Sequence, residues 1–123
     1  MFGDSFNRRI GKCSITAKKI AKIFIDAFER GNKVMACGNG GSAALSQHFA
    51  AEMICKYQKD RRAFPALALS TDTSILTAVS NDFGYEYVFA RQIEALGKEG
   101  DVLIIFSTSG KSANCLYAKQ VCK

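Results

Sequence analysis

Residues 34–52 read VMACGNGGSAALSQHFAAE, and the fold follows from how this stretch divides. Residues 33–37 form a short run without polar alternation, the pattern of a strand buried on both faces. Residues 38–41 are a glycine turn, and residues 42–56 carry the composition of a helix that opens on Ser42. A glycine turn at the carboxyl end of a strand, feeding a helix N-terminus, makes an anion site, because backbone N–H groups and the helix dipole converge there. His48 and Glu52 stand four apart, so they share one face of that helix and can act on one atom or ion.

The pattern repeats downstream. Residues 66–69 (ALAL) and 101–106 (DVLIIF) are two further buried strands. Residues 107–112 (STSGKS) form a second small-residue turn, and Ser112 opens another helix. Between the second and third strands, residues 71–74 are rich in helix-capping types and begin a short helix reaching 79. Residues 81–84 (NDFG) have turn chemistry. Residues 87–96 read as a helix stopped by Gly97. Upstream, residues 14–30 are a packing or oligomer helix, capped by Ser14 and ended by Gly31 and Asn32, with Ile20, Phe24, Ala27 and Phe28 on one stripe. Alternating strands and helices predict an α/β fold: a doubly wound, mainly parallel sheet flanked by helices, in a three-layer flavodoxin-like arrangement. Ligands in such sheets bind beyond the carboxyl ends of the strands, where both turns lie. Three strands make a thin sheet, so the expectation is one domain over 1–123 whose C-terminal strand and helix lie outside this chain.

Composition narrows the class. The 123 residues are 48% hydrophobic and 23% charged, with one proline and a net charge of +6. That suffices for one domain with a core. No window holds the ~18 apolar residues of a membrane span, and the first twelve residues lack the apolar segment of a signal peptide. The expectation is a cytoplasmic protein with no membrane partner. The positive charges are scattered except at Lys56, Lys59, Arg61 and Arg62, which read as a solvated surface rather than a nucleic-acid site. Five cysteines without a C-x-x-C pair read as free thiols.

The two turns invite other assignments. Gly110-Lys111-Ser112 matches the end of a nucleotide P-loop, but that motif needs a glycine five residues earlier, where Ile105 stands. Gly38, Gly40 and Ala43 match a dinucleotide fingerprint, but the second strand ends in Ser70 and Thr71 rather than an acid. What remains is the hydroxyl inventory of Ser107, Thr108, Ser109 and Ser112 around Gly110, which can hold a phosphate or simply start a helix. His48 and Glu52 can supply two zinc ligands, or Glu52 can be a general base. Asn81 and Asp82 can bond sugar hydroxyls, or simply turn the chain.

The blocks CGNGGSAA, QHFAAE, LSTDTSILTAVSNDFGYE and GDVLIIFSTSGKSAN together resemble the sugar isomerase (SIS) domain family, in particular its branch that isomerises seven-carbon sugar phosphates. The resemblance runs from about Ile15 to the end of the chain. It implies conversion of sedoheptulose 7-phosphate to D-glycero-D-manno-heptose 7-phosphate through an enediol, for bacterial surface polysaccharides. It further implies that Asn39, Gly40, Gly41, Ser42, Asn81 and Asp82 touch the substrate. Ser107, Thr108, Ser109 and Ser112 hold its phosphate in this resemblance. His48 and Glu52 bind zinc, and Glu52 is also acid/base. A homotetramer is implied too. The family's further zinc ligands, a glutamine and a histidine, fall beyond Lys123. Leu45 stands where members often have an acid, and Lys56 where they have an arginine. A rival within the family is a non-catalytic member that binds sugar phosphate or the bacterial replication initiator.

Overall fold

A computed structural model describes residues 3–122 of the chain, with side chains described from Ile15 to Cys122. The elements in order are α1 (Gly3–Glu29), β1 (Val34–Gly38), α2 (Gly41–Ile54), β2 (Ala66–Ala68), α3 (Thr73–Asp82), a 3-10 turn (Tyr85–Tyr87), α4 (Ala90–Leu96), β3 (Val102–Phe106) and α5 (Ala113–Val121). The sheet has order β2-β1-β3, and both pairings are parallel. Val34 lies opposite Ala66 on one side and Val102 on the other. The expected α/β architecture with crossover helices is what forms.

Strand periodicity divides the core. Met35 and Cys37 of β1 join Leu69, Val88, Phe89, Ile93, Cys115 and Ala118 in one buried cluster, with Leu103 and Ile105 of β3 against it. On the opposite face, aromatic rings bridge the layers: Phe24 of α1 meets Phe49 of α2 at 5.6 Å, and Phe49 meets Phe106 of β3 at 6.1 Å. Helices therefore cover both faces, which is why the strands are apolar throughout.

Several boundaries depart from the sequence expectation. Helix α1 begins at Gly3 rather than after Ser14, whose side chain lies outside the described residues. Its end is as expected: Gly31 takes φ 79°, and Asn32 N–H donates to the Ala27 carbonyl at 2.9 Å. Helix α3 runs through Asn81 and Asp82, so these residues are not a turn. Asp72 caps that helix by accepting from Ile75 N–H at 2.9 Å, and the Ser80 hydroxyl bonds back to the Leu76 carbonyl at 2.6 Å. Residues 87–96 split into the 3-10 turn and α4, with Gly97 ending the latter.

The amino end of the sheet is closed by one carboxylate. Asp101 accepts from Lys33 N–H at 3.0 Å, Lys98 N–H at 2.9 Å and the Asn32 amide at 3.1 Å, and pairs with the Lys33 ammonium. Partial burial pushes the Asp101 carboxyl up. The hydrogen bonds from Lys33, Lys98 and Asn32 outweigh that and leave it at about 2.

Candidate functional site

The two turns meet at the carboxyl end of the sheet. Gly38 is where they are pressed together: a Cβ there would lie 2.7 Å from the Phe106 carbonyl oxygen and 2.7 Å from Ser42 Cβ. Only glycine lets β1, β3 and the start of α2 approach this closely. Gly40, at φ 55°, occupies the N-cap position of α2. Helix α2 therefore starts on Gly41 without a side-chain cap, and Ser42 sits inside its first turn rather than capping it. Ser42 N–H donates to the Asn39 carbonyl at 2.9 Å and Ala43 N–H to the Gly40 carbonyl at 3.0 Å, which fixes the turn.

The second turn folds on its own hydroxyls. Gly110 N–H donates to Ser107 Oγ at 3.0 Å and Lys111 N–H to Ser109 Oγ at 3.2 Å. Ser112 takes the N-cap position of α5 but makes no capping bond. A polar cavity of about 60 Å³ opens between the turns, lined by Asn39, Ser42, Phe106, Ser107, Thr108, Ser109 and Ser112. Six of the predicted site residues are thus brought to one small cavity of hydroxyl and amide character.

The other predicted residues lie apart from this cavity. His48 and Glu52 follow six and ten residues after Ser42 along α2, with His48 Nε2 3.5 Å from Glu52 Oε1. The His48 side chain is 72% exposed and that of Glu52 27%. Glu52 Oε2 is buried and has no hydrogen-bond partner; among the described residues no other buried side-chain oxygen or nitrogen is in that state. Such an atom is costly unless something else pairs with it. Its backbone, by contrast, is held: Arg61 donates to the carbonyls of Glu52 at 2.6 Å and Met53 at 3.0 Å, closing the carboxyl end of α2. Asn81 and Asp82 are exposed and bond each other at 2.9 Å. Gly40 and Gly41 do not line the cavity, but a Cβ at either would meet nothing within 4 Å, so their backbones stand open.

A carboxylate with a free buried oxygen, one helical turn from an exposed imidazole, has the donor chemistry of part of a zinc site. Among the described residues no group of three or more His, Cys, Asp or Glu is gathered to complete it. Cys37 and Cys115 lie beneath the turns as free thiols. Burial, and then the Cys115 thiol, push Cys37 up to about 12, so it brings no charge to the site. Cys55 and Cys122 are also free, as expected; Cys13 lies outside the described side chains.

Two site residues had no signal in the sequence. The Asn39 and Asn114 amides bond each other reciprocally, at 2.9 and 2.8 Å, and the Tyr85 hydroxyl donates to Asn39 Oδ1 at 2.8 Å. Nothing local to Asn114 or Tyr85 announces a partner so far along the chain.

The fold is thus a parallel α/β sheet whose two small-residue turns face one polar cavity at its carboxyl edge. The family model described as SIS domain matches residues 9–123, and the chain belongs to the SIS domain family. Within it, a phosphoheptose isomerase of Roseiflexus sp. (strain RS-1) is 55% identical over 104 residues, 85% of this chain and 53% of that protein. A phosphoheptose isomerase of Alteromonas mediterranea is 46% identical over 122 residues, 97% of this chain and 62% of that protein. The solved phosphoheptose isomerase from Neisseria gonorrhoeae superimposes with a TM-score of 0.77 at 40% identity, covering 98% of this chain and 68% of that one. The one from Francisella tularensis gives 0.80 at 35%, covering 98% and 69%. The chain spans little more than half the length of these two curated relatives.

Proposed function

We propose that this chain carries the sugar-phosphate site of an aldose–ketose isomerase that converts sedoheptulose 7-phosphate to D-glycero-D-manno-heptose 7-phosphate. The observation that carries the reading is Glu52: a carboxylate oxygen buried without a partner, on the helix that rises from the anion turn. A structural carboxylate is satisfied; one held ready for a proton or an ion is not. The similarity to phosphoheptose isomerases supports the same substrate class.

In this reading the phosphate lies against Ser107, Thr108, Ser109 and Ser112, and the sugar end against Asn39, Gly40, Gly41 and Ser42. Asn81 and Asp82 meet the sugar hydroxyls. Glu52 removes a proton from C1 of the ketose, leaving an enediol, and returns a proton to C2, so the product is an isomer with no atom gained or lost. A second acid/base group, outside the described residues, moves the hydroxyl proton. His48 and Glu52 would hold zinc with donors from beyond the described residues, and zinc supplies polarisation of the substrate oxygens when bound. The protein acts in the cytoplasm and assembles as a homotetramer. The exposed Ile15, Ile23 and Ile25 on α1 support self-association.

An isomerase assay tests this. Purified protein is incubated with sedoheptulose 7-phosphate, with and without zinc, and aldose formation is followed by NMR, with Glu52→Gln as control. Turnover that requires Glu52 is the expected result. Saturable sugar-phosphate binding without turnover at any zinc level would overturn the enzyme reading in favour of a binding module.

A further inference from the structure

We propose that Asn114 is a positioning residue that sets the spacing of the two turns through Asn39, and that Asn39 meets a ligand through its backbone only. The proposal rests on the reading of the turns as a sugar-phosphate site. The Asn39 side chain is fully committed inward. Its Oδ1 has two acceptor positions, filled by Asn114 Nδ2 and the Tyr85 hydroxyl, each at 2.8 Å. Its Nδ2 donates to Asn114 Oδ1 at 2.9 Å and faces Cys115 Sγ at 3.9 Å. Asn114 is itself 2% exposed, and its Oδ1 also accepts from Cys115 N–H at 2.9 Å. No amide atom of Asn39 is left to reach into the cavity.

The placement of the pair matters. Asn39 directly follows Gly38 in the first turn, and its carbonyl accepts from Ser42 N–H. Asn114 stands on the first turn of α5, two residues after Ser112 of the second turn. The reciprocal amide pair is thus a side-chain tie between the two halves of the cavity. A buried amide that loses its partner keeps the desolvation penalty, so the tie is costly to break.

The test uses Asn114→Ala and Asn114→Asp in the whole protein, with two readouts. The first is amide hydrogen exchange without ligand. In both variants the Ser42 and Ala43 amides should exchange about tenfold faster or more, relative to the β1 amides. The second is the Kd for sedoheptulose 7-phosphate, expected to weaken about tenfold at neutral pH. A protonated carboxylic acid presents one donor and one acceptor, as an amide does. The Asn114→Asp defect, taken as a ratio to the unsubstituted protein at the same pH, should therefore shrink as pH falls from about 7 to about 5. The Asn114→Ala defect should not. Asn39→Ala should match Asn114→Ala, and the double variant should add little.

Unchanged exchange at the turn, or an Asn114→Asp ratio that stays flat with pH, overturns the positioning role. A far larger binding loss for Asn39→Ala than for Asn114→Ala overturns the backbone-only role of Asn39. A turn that loosens as expected, in a protein that binds no sugar phosphate even unsubstituted, upholds the tie and refutes the substrate class instead.

Discussion

Asp101 and Glu52 are both acidic residues with a buried carboxylate oxygen, and they are treated in opposite ways. Asp101, at the amino end of the sheet, collects three N–H donors and an ammonium, so each oxygen is occupied. Glu52, on α2 beyond the turns at the carboxyl end, has one oxygen facing an imidazole at 3.5 Å and the other facing no donor. The first arrangement stabilises a fold. The second leaves a buried oxygen open to a partner at a local cost in free energy.

Substitution should separate the two roles. The largest effect belongs to Glu52→Gln. Isomerase turnover should fall about a hundred- to ten-thousandfold, the range of a lost acid/base group. Urea unfolding should move by less than about 0.5 kcal/mol, since Oε2 has no partner to lose. Asp101→Asn should do the reverse, costing about 2–3 kcal/mol of stability because the new amide cannot accept from Lys98 and Lys33. Its affinity for sugar phosphate should stay within about twofold. A destabilised Glu52→Gln, or an Asp101→Asn that loses affinity selectively, would erase the distinction.

Smaller effects sharpen it. Arg61→Ala frees the carbonyls of Glu52 and Met53 and should cost about 1 kcal/mol. Exchange should quicken at the last amides of α2, and the Glu52 backbone should lose its anchor. A further test is a pH effect. The folded-state pKa of Asp101 is depressed to about 2, so the unfolded chain takes up the proton first. The stability it contributes is complete above about 4 and is lost as pH falls towards about 2. Acid unfolding curves should show this slope in the unsubstituted protein and lose it in Asp101→Asn.

How much of this is written locally explains what could be read in advance. The stretch 34–52 shows its strand, turn and helix because hydrophobic pattern and glycine are near-neighbour signals, and His48 and Glu52 share a face by spacing alone. The second turn is legible in the same way, as small residues following the apolar run of β3. The end of α3 is not legible in this way: Asn81 and Asp82 are turn formers by type, yet a helix capped at Asp72 carries through them. The roles of Asn114, Tyr85 and Arg61 were invisible for a different reason. Each depends on a partner that only the folded chain brings near: Asn39 for the first two, the carbonyls ending α2 for the third.

Gly38 and Gly41 sit three residues apart and set very different limits on change. At Gly38 a Cβ would lie within 3 Å of the backbone of both β3 and α2, so any side chain must move backbone. At Gly41 the φ angle is ordinary and a methyl group would point into open space. Alanine at 41 therefore leaves the scaffold intact and alters only the room above the turn. A search for altered ligand preference belongs at that position. The frame fixed by Gly38 offers selection, natural or in the laboratory, no smaller step to take.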